Sequence, residues 1–222
     1  MSDPVFATKW DFLHAGVLIG VDRTTGVWSG SQSQGADMVC VWTSDAIATE
    51  ALHVESWELR SIKVRDLLAM LPAGVGVIID PEHASGMTCS PSYVANLKRY
   101  TVAFPPGESV VRLGTWDVPA PVRAAVVHVA ADTRLVQELY AFAYTVDDSP
   151  LLGGLAYVAE AGCDTVALTR GLEAAMESTT TPAELGFPTV NIVSVADVPA
   201  EVRSALGDAH LVHRRRRRGL WR

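Results

Sequence analysis

VCVWTSDAIATEALHVESWELRSIKVRDLLAMLPAGVGVIIDPEHASGMTCSPSYVANL, residues 39–97, is the stretch on which the fold is decided. Short apolar runs alternate in it with helix-like segments, and turn residues stand at nearly every junction. Val39, Cys40, Val41 and Trp42 are apolar enough for a buried strand, and Thr43, Ser44 and Asp45 follow as N-cap candidates for a helix over residues 46–52. Val64, Leu67, Leu68 and Leu71 fall at i, i+3, i+4 and i+7, which gives a short helix one apolar face, and Pro72 stops it. Val75, Val77, Ile78 and Ile79 are β-branched and uncharged, the composition of a central strand covered on both faces. Asp80 and Pro81 end that strand. Ser90 as cap and Pro91 at the first helical position then announce a helix that buries Val94 and Leu97.

Upstream, Phe6, Trp10 and Leu13 share a helical face, residues 17–21 read as a strand, residues 23–26 as a turn, and Val27 and Trp28 as the returning strand. The run GSQSQG, residues 30–35, is small and polar throughout and reads as a flexible connection. Downstream, Pro105, Pro106 and Gly107 break the pattern and mark a domain division. A strand over 110–113 follows. Next come a helix with Val122, Ala125, Val126 and Val129 on one face, a long segment over 135–146 and a strand over 151–158. A helix carrying Leu168, Leu172, Ala175 and Met176 behind the cap Asp164 leads to a strand over 189–193. That order, β-α-β-β-α-β, is the ferredoxin-like split βαβ arrangement. A last helix is expected between Asp197 and Gly207. The expected fold class is α+β: two small α/β-type domains, residues 1–105 and 106–210, the second ferredoxin-like (βαββαβ), and an Arg-rich tail, residues 211–222.

The chain has 222 residues, 49% of them hydrophobic, which is ample for a core. No apolar run reaches the roughly 18 residues of a membrane span, and the opening residues lack a basic region followed by an apolar one, so a cytoplasmic protein is expected. Three cysteines, Cys40, Cys89 and Cys163, are widely spaced and suit reduced thiols, not a disulfide framework. The net charge of −7 conceals an asymmetry. Arg214 to Arg218 and Arg222 supply 6 of the 18 basic residues, so the remaining body carries 12 basic against 25 acidic residues and repels nucleic acid and anionic membrane except at its C-terminus.

The runs VWTSDAIA, VRDLLAMLP and GVGVIIDPEHASGMTCSP resemble the N-terminal domain of the SseB family, the enhanced serine sensitivity proteins. SVVRLGTWDVPAPVRAAV, the region of Tyr140 to Tyr144 and LLGGLAYV resemble that family's C-terminal domain. The resemblance spans most of the chain but rests on turns and core runs. It implies a bacterial, actinobacterial-type cytoplasmic protein with no firm catalytic residues. Asp80 stands where the family pattern has Asn, Trp42 is the aromatic before Thr43, and the Arg-rich end departs from the pattern.

Asp80, Glu82 and His83 lie in one loop at the end of the most buried strand, a place where α/β folds bind ligands, and Cys89 follows six residues later. Asp80, His83 and Cys89 are therefore the catalytic candidates of a Cys/His enzyme. Such a centre needs the imidazole within hydrogen-bond reach of the thiol, and the competing reading is a turn stabilised by Asp80 with His83 in water. His14, His53, His83, His128, His210 and His213 never fall at metal-ligand spacing, and no phosphate-binding glycine loop is present, so no metal and no cofactor are expected. Gly153 and Gly154 interrupt a strand pattern and suggest a bulge or close strand packing. Trp28, Trp42, Trp57 and Trp116 read as core filling or as a patch that meets another protein.

Arg214, Arg215, Arg216, Arg217 and Arg218 form the most specific local signal, because five adjacent guanidinium groups repel one another and need an anionic partner. Nucleic acid is one such partner, and acidic surface of the same or a neighbouring chain is another. The function expected is that of a non-catalytic protein-interaction or adaptor protein, its protein partner open and self-association possible. The alternatives are a nucleic-acid-associated protein using the tail and an enzyme built on the loop over 80–89.

Overall fold

Apolar residues alternate by face in the first half of the chain, and the outcome is a sheet with a different core on each side. A computed structural model of the chain describes residues 6–33, 35–52, 55–105, 111–133 and 135–215. The fold is α+β with two separate sheets, and the chain divides into two units, Met1–Pro105 and Pro106–Arg222.

The first unit runs α1 (Lys9–His14), β1 (Gly16–Asp22), β2 (Gly30–Ser33), β3 (Ala36–Trp42), α2 (Asp45–Ala51), β4 (Trp57–Lys63), α3 (Val64–Met70), β5 (Gly76–Ile79), β6 (Met87–Cys89) and α4 (Pro91–Lys98). Its sheet has the order β4-β1-β3-β5-β6, with β2 paired to β3. Only β3 and β5 are parallel, Cys40 opposite Ile78 and Val41 opposite Ile79. Val17, Ile19, Val41, Val77 and Ile79 face α1, α3 and α4 in one cluster with Phe12, Leu67, Leu68 and Leu97. The intervening residues Leu18, Cys40, Trp42 and Ile78 lie with Ala48 and Ile47 of α2 in a second cluster. Each Leu or Val so enclosed contributes about 1.5–3 kcal/mol, which is why the 3.6- and 2-residue periods of the sequence are obeyed here. Ser44 caps α2, and Ser90 with Pro91 opens α4, as the sequence signals.

Residues 30–35 differ from their expectation as a flexible connection. Gly30–Ser33 form β2, paired residue for residue with β3, and Gly35 takes φ 79° just before β3 begins. Backbone pairing asks nothing of side chains, and a run without apolar residues gave no sign of it. The sheet forks here. β1 pairs β3 directly only at Leu18 and Ile19, and Ser29 then lies between them, its N–H donating to Gly20 O (2.7 Å) and its carbonyl accepting from Cys40 N (3.0 Å).

The second unit runs β7 (Val111–Thr115), α5 (Ala120–Asp132), β8 (Val136–Val146), β9 (Leu152–Ala159), α6 (Thr165–Glu177), β10 (Val190–Ser194), α7 (Ala200–Ala205) and β11 (Leu211–Arg214). The helices α5 and α6 pack together on one face over Leu139, Ala141, Leu155 and Tyr157. A 3-10 turn at Val195–Asp197 contacts β9, and α7 contacts β7. Pro199, not Asp197, stands at the N-cap of α7.

The element order β-α-β-β-α-β is present, but the ferredoxin-like pairing is not. The sheet order is β10-β9-β8-β11, with β7 also on β8, whereas a split βαβ arrangement inserts a strand between β9 and β10. Those two strands are instead direct parallel neighbours, Gly153 opposite Val190, and Gly153 N donates to Thr189 O at 3.1 Å. A Cβ on Gly153 would stand 2.9 Å from both Phe187 and Val190, so the side chains of the β10 approach close that gap. The eleven-residue β8 lends one edge to β9 and shares the other between β7 (Thr115 opposite Phe142) and β11 (Leu211 opposite Tyr140). The expected tail, residues 211–222, thus begins as a strand of the second sheet.

Candidate functional site

The loop after β5 is built around Asp80, which is 0% exposed. β3 and β5 are parallel, so their C-terminal ends emerge side by side and bring Thr43 against Asp80. Thr43 N donates to Asp80 Oδ1 at 2.8 Å, and Thr43 Oγ1 donates to Oδ2 at 2.7 Å. Ser85 Oγ approaches Oδ2 at 3.1 Å, and Asp80 N donates to Val41 O at 2.8 Å. The chain turns sharply to achieve this: Asp80 and Glu82 adopt φ 47° and 65°. Gly86 closes the loop where a Cβ would lie 2.8 Å from Asp80 O and 2.9 Å from His83 O.

His83 is exposed, and its Nδ1 lies 2.7 Å from Ser85 Oγ and accepts from Ser85 N at 3.2 Å. A Ser, a His and an Asp are therefore adjacent, in the wrong order for hydrolysis. In a working triad the imidazole stands between hydroxyl and carboxylate and is oriented by the latter. Here the serine stands between them, and its single proton can serve Asp80 or His83, one at a time. What the arrangement does is fasten the end of β5 to the end of β3.

Cys89 is not brought into that loop. It sits on β6 opposite Val77, inside the core cluster that holds Ile79 and Val94. Burial pushes its thiol up to about 11, so almost none is thiolate at neutral pH. Burial raises the Cys40 thiol as well, and Cys163 is the most open of the three free cysteines. The loop over 80–89 thus gathers Asp80, Ser85 and His83 and leaves Cys89 behind, and Ser85 is the member that the sequence reading missed. Its signal was available only in three dimensions, since nothing in the spacing of Thr43, Asp80 and Ser85 says that they meet.

Among the described residues no group of three His, Cys, Asp or Glu side chains gathers where a metal ion could be held. His128 pairs with Asp132 at 3.1 Å on the surface of α5, His14 stacks on Trp10, and His53 lies outside the described residues. Trp42 is enclosed under α2, and Trp116 meets Phe187 edge to face at 5.2 Å. No helix among the described residues is long and apolar enough to cross a membrane.

Among the described residues each unit carries a hollow. In the second unit about 380 Å³ opens at the C-terminal ends of the parallel strands β9 and β10, lined by Tyr157, Thr165, Thr169, Arg170, Ser194 and Asp197. Its Tyr157 hydroxyl is engaged with Thr169 Oγ1 at 3.0 Å. In the first unit a groove of about 680 Å³ is lined by residues of the β2–β3 ribbon together with Val27, Trp28, Leu71, Pro72 and Val75. Val27 is 63% exposed there, and Asp37 is the one ionisable residue among the described residues of the lining. Beside it, β2 pairs with β3 alone among the described residues, so its outer edge offers backbone N–H and C=O groups.

Of the five arginines read as anion-binding, Arg214 and Arg215 are described and Arg216, Arg217 and Arg218 lie outside the described residues. Arg214 Nε lies 2.9 Å from Glu138 Oε1, and Arg215 Nη1 lies 2.6 Å from Glu160 Oε1. Each thus lies against a carboxylate of the same chain. Compared with known proteins, the chain matches no family model, no curated protein and no solved structure.

Proposed function

We propose that the chain is a non-catalytic protein-interaction module of the SseB-like kind, acting in the bacterial cytoplasm, and that the groove across β2 and β3 is where its partner lies. The observation that carries this reading is the coincidence of an apolar groove with an unoccupied strand edge. An extended segment laid along β2 gains main-chain hydrogen bonds from that edge, while its alternate side chains enter the groove. The volume is within the roughly 300–1,000 Å³ of ordinary binding pockets.

The occupant is an extended, apolar segment of another protein carrying one basic residue. Asp37 is the only charge among the described residues of the lining, and the first unit holds 7 Lys and Arg against 11 Asp and Glu, so a cationic side chain is favoured and an acidic one repelled. β2 itself reads Gly-Ser-Gln-Ser, with none of the lysines or prolines that usually block an edge against such addition. Supporting the absence of catalysis, Cys89 is enclosed, and Asp80 spends both carboxylate oxygens on Thr43 and Ser85.

Selection of displayed ten-residue peptides against the full chain tests this. Binders should share an alternating apolar pattern with a Lys or Arg, lose about tenfold or more in affinity with Val27→Glu, and slow amide exchange at Gly30–Ser33. Binders indifferent to Val27→Glu, or protection that falls elsewhere, would overturn the reading.

A further inference from the structure

The hollow of the second unit lies at the end of a βαβ crossover. β9 and β10 are parallel neighbours joined through α6, and such a unit leaves a crevice outside the C-terminal ends of its strands. Ser194 stands opposite Tyr157 at that end, and the first two turns of α6 add Val166, Thr169 and Arg170 to the lining. The 3-10 turn at Val195–Asp197 adds Asp197. Arg203 of α7 braces that turn, its Nη2 donating to Ala196 O at 3.2 Å and to Val198 O at 2.9 Å, the carbonyls on either side of Asp197. The backbone under Asp197 is thus fixed while its carboxylate is left uncommitted. Among the described residues neither that carboxylate nor the Arg170 guanidinium makes a hydrogen bond or an ion pair.

Opposite charges that share a hollow of about 380 Å³ without pairing to each other are completed by a ligand that carries both signs. Glu173 puts a second carboxylate in the lining, so a phosphate dianion is opposed, and Arg170 opposes a polyamine. Ser194 Oγ accepts from Ala196 N at 3.2 Å and keeps its proton to donate, which suits an amide carbonyl. Val166, 60% exposed, and half-buried Ile192 supply aliphatic surface. We propose that this hollow binds a free aliphatic dipeptide. Arg170 receives its carboxylate, Asp197 its ammonium group and the Ser194 hydroxyl its peptide carbonyl, while its side chains lie on Val166 and Ile192. A single amino acid carries the same two charges but has no amide for Ser194, and the volume, at the small end of the roughly 300–1,000 Å³ of ligand pockets, exceeds what it fills. The inference concerns the second unit and stands apart from the groove of the first.

The test uses the full chain with alanyl-leucine as the probe, followed by amide NMR. Titration to about 10 mM should shift the resonances of residues 165–170 and 192–197 and leave those of the first unit in place. Amidating the probe's carboxyl end, or acetylating its amino end, should each weaken binding about 5- to 20-fold. R170Q should weaken alanyl-leucine as much as amidation does and leave the affinity of the amide unchanged, because the two changes remove the same contact. D197N should stand in the same relation to the acetylated probe. Arg170 and Asp197 are exposed, so both variants keep the fold. No shift in those two segments, equal affinity for the dipeptide and its amide, unchanged affinity in R170Q, or tighter binding of free leucine would each overturn the proposal.

Discussion

Asp80 shows how one side chain can look catalytic in a sequence and be structural in the fold. Its carboxylate accepts from Thr43 N, Thr43 Oγ1 and Ser85 Oγ in a place closed to water, so removing it leaves three donors without an acceptor. Asp80→Ala also puts alanine at φ 47°, which aspartate tolerates better. We expect it to lower unfolding free energy by about 3–5 kcal/mol, against about 1–2 kcal/mol for Asp80→Asn, which keeps one acceptor oxygen and the tolerance of that backbone region. Urea titration of the three proteins checks the order, and equal losses would mean that the carboxylate charge does not organise the loop.

At the same scale, His14 makes the first unit sensitive to pH between 7.5 and 5. Its Nε2 is buried without a hydrogen-bond partner among the described residues, and its pKa is lowered from 6.5 by burial first, then by Arg65 and Lys63, with Asp11 opposing. The unfolded chain therefore takes up the proton more readily than the folded one. Stability held by neutral His14 is complete above about pH 6.5 and is lost as pH falls through the lower folded value. His14→Phe keeps a ring against Trp10 and cannot titrate. Its melting temperature should fall less than that of the natural sequence between pH 7.5 and 5, and parallel curves would remove His14 from the account. The thiols give a third measurement. Cys40 and Cys89 should react with a disulfide reagent only on unfolding, while Cys163 reacts in the native protein and Cys163→Ser removes that phase. Rapid native labelling of Cys89 would restore it as a candidate nucleophile.

Among the elements, those that bury a periodic face were legible and those held by backbone alone were not. The α3 spacing from Val64 to Leu71 is a 3.6-residue pattern, and the same four residues are enclosed in the structure. β2 has no apolar residue, and β11 offers only Leu211 and Val212 before a run of arginines that reads as solvated tail. The strand order of the second sheet was illegible for another reason: pairing is chosen by fit between residues far apart in sequence. Gly154 illustrates this, for a Cβ there would stand 2.4 Å from Phe142 on the neighbouring strand. The glycine admits the ring, and the ring covers the strand that other topologies would place elsewhere. Gly154→Val should therefore cost about 1–3 kcal/mol despite its higher strand propensity, measured by the same urea titration. A stabilised variant would show that Phe142 has room to move and that the pairing is not set there.

Over the whole molecule, the clusters that contain Leu67 and Trp42 draw only on residues of the first unit, and the cluster around Leu139 and Leu172 only on the second. A core that shares no member with another should lose its cooperativity alone. Asp80→Ala and Gly154→Val place one lesion in each, which turns the two-unit division into a measurement. With Asp80→Ala, amides of β3 and β5 should exchange faster while those of β8 and β9 keep their rates, and Gly154→Val should do the reverse. The double variant should then lose the sum of the two single effects to within about 0.5 kcal/mol. If Asp80→Ala instead speeds exchange in β8 and β9 as much as in β3, the chain unfolds as one cooperative body. The acidic second unit and its arginine strand would then be tied thermodynamically to the groove of the first.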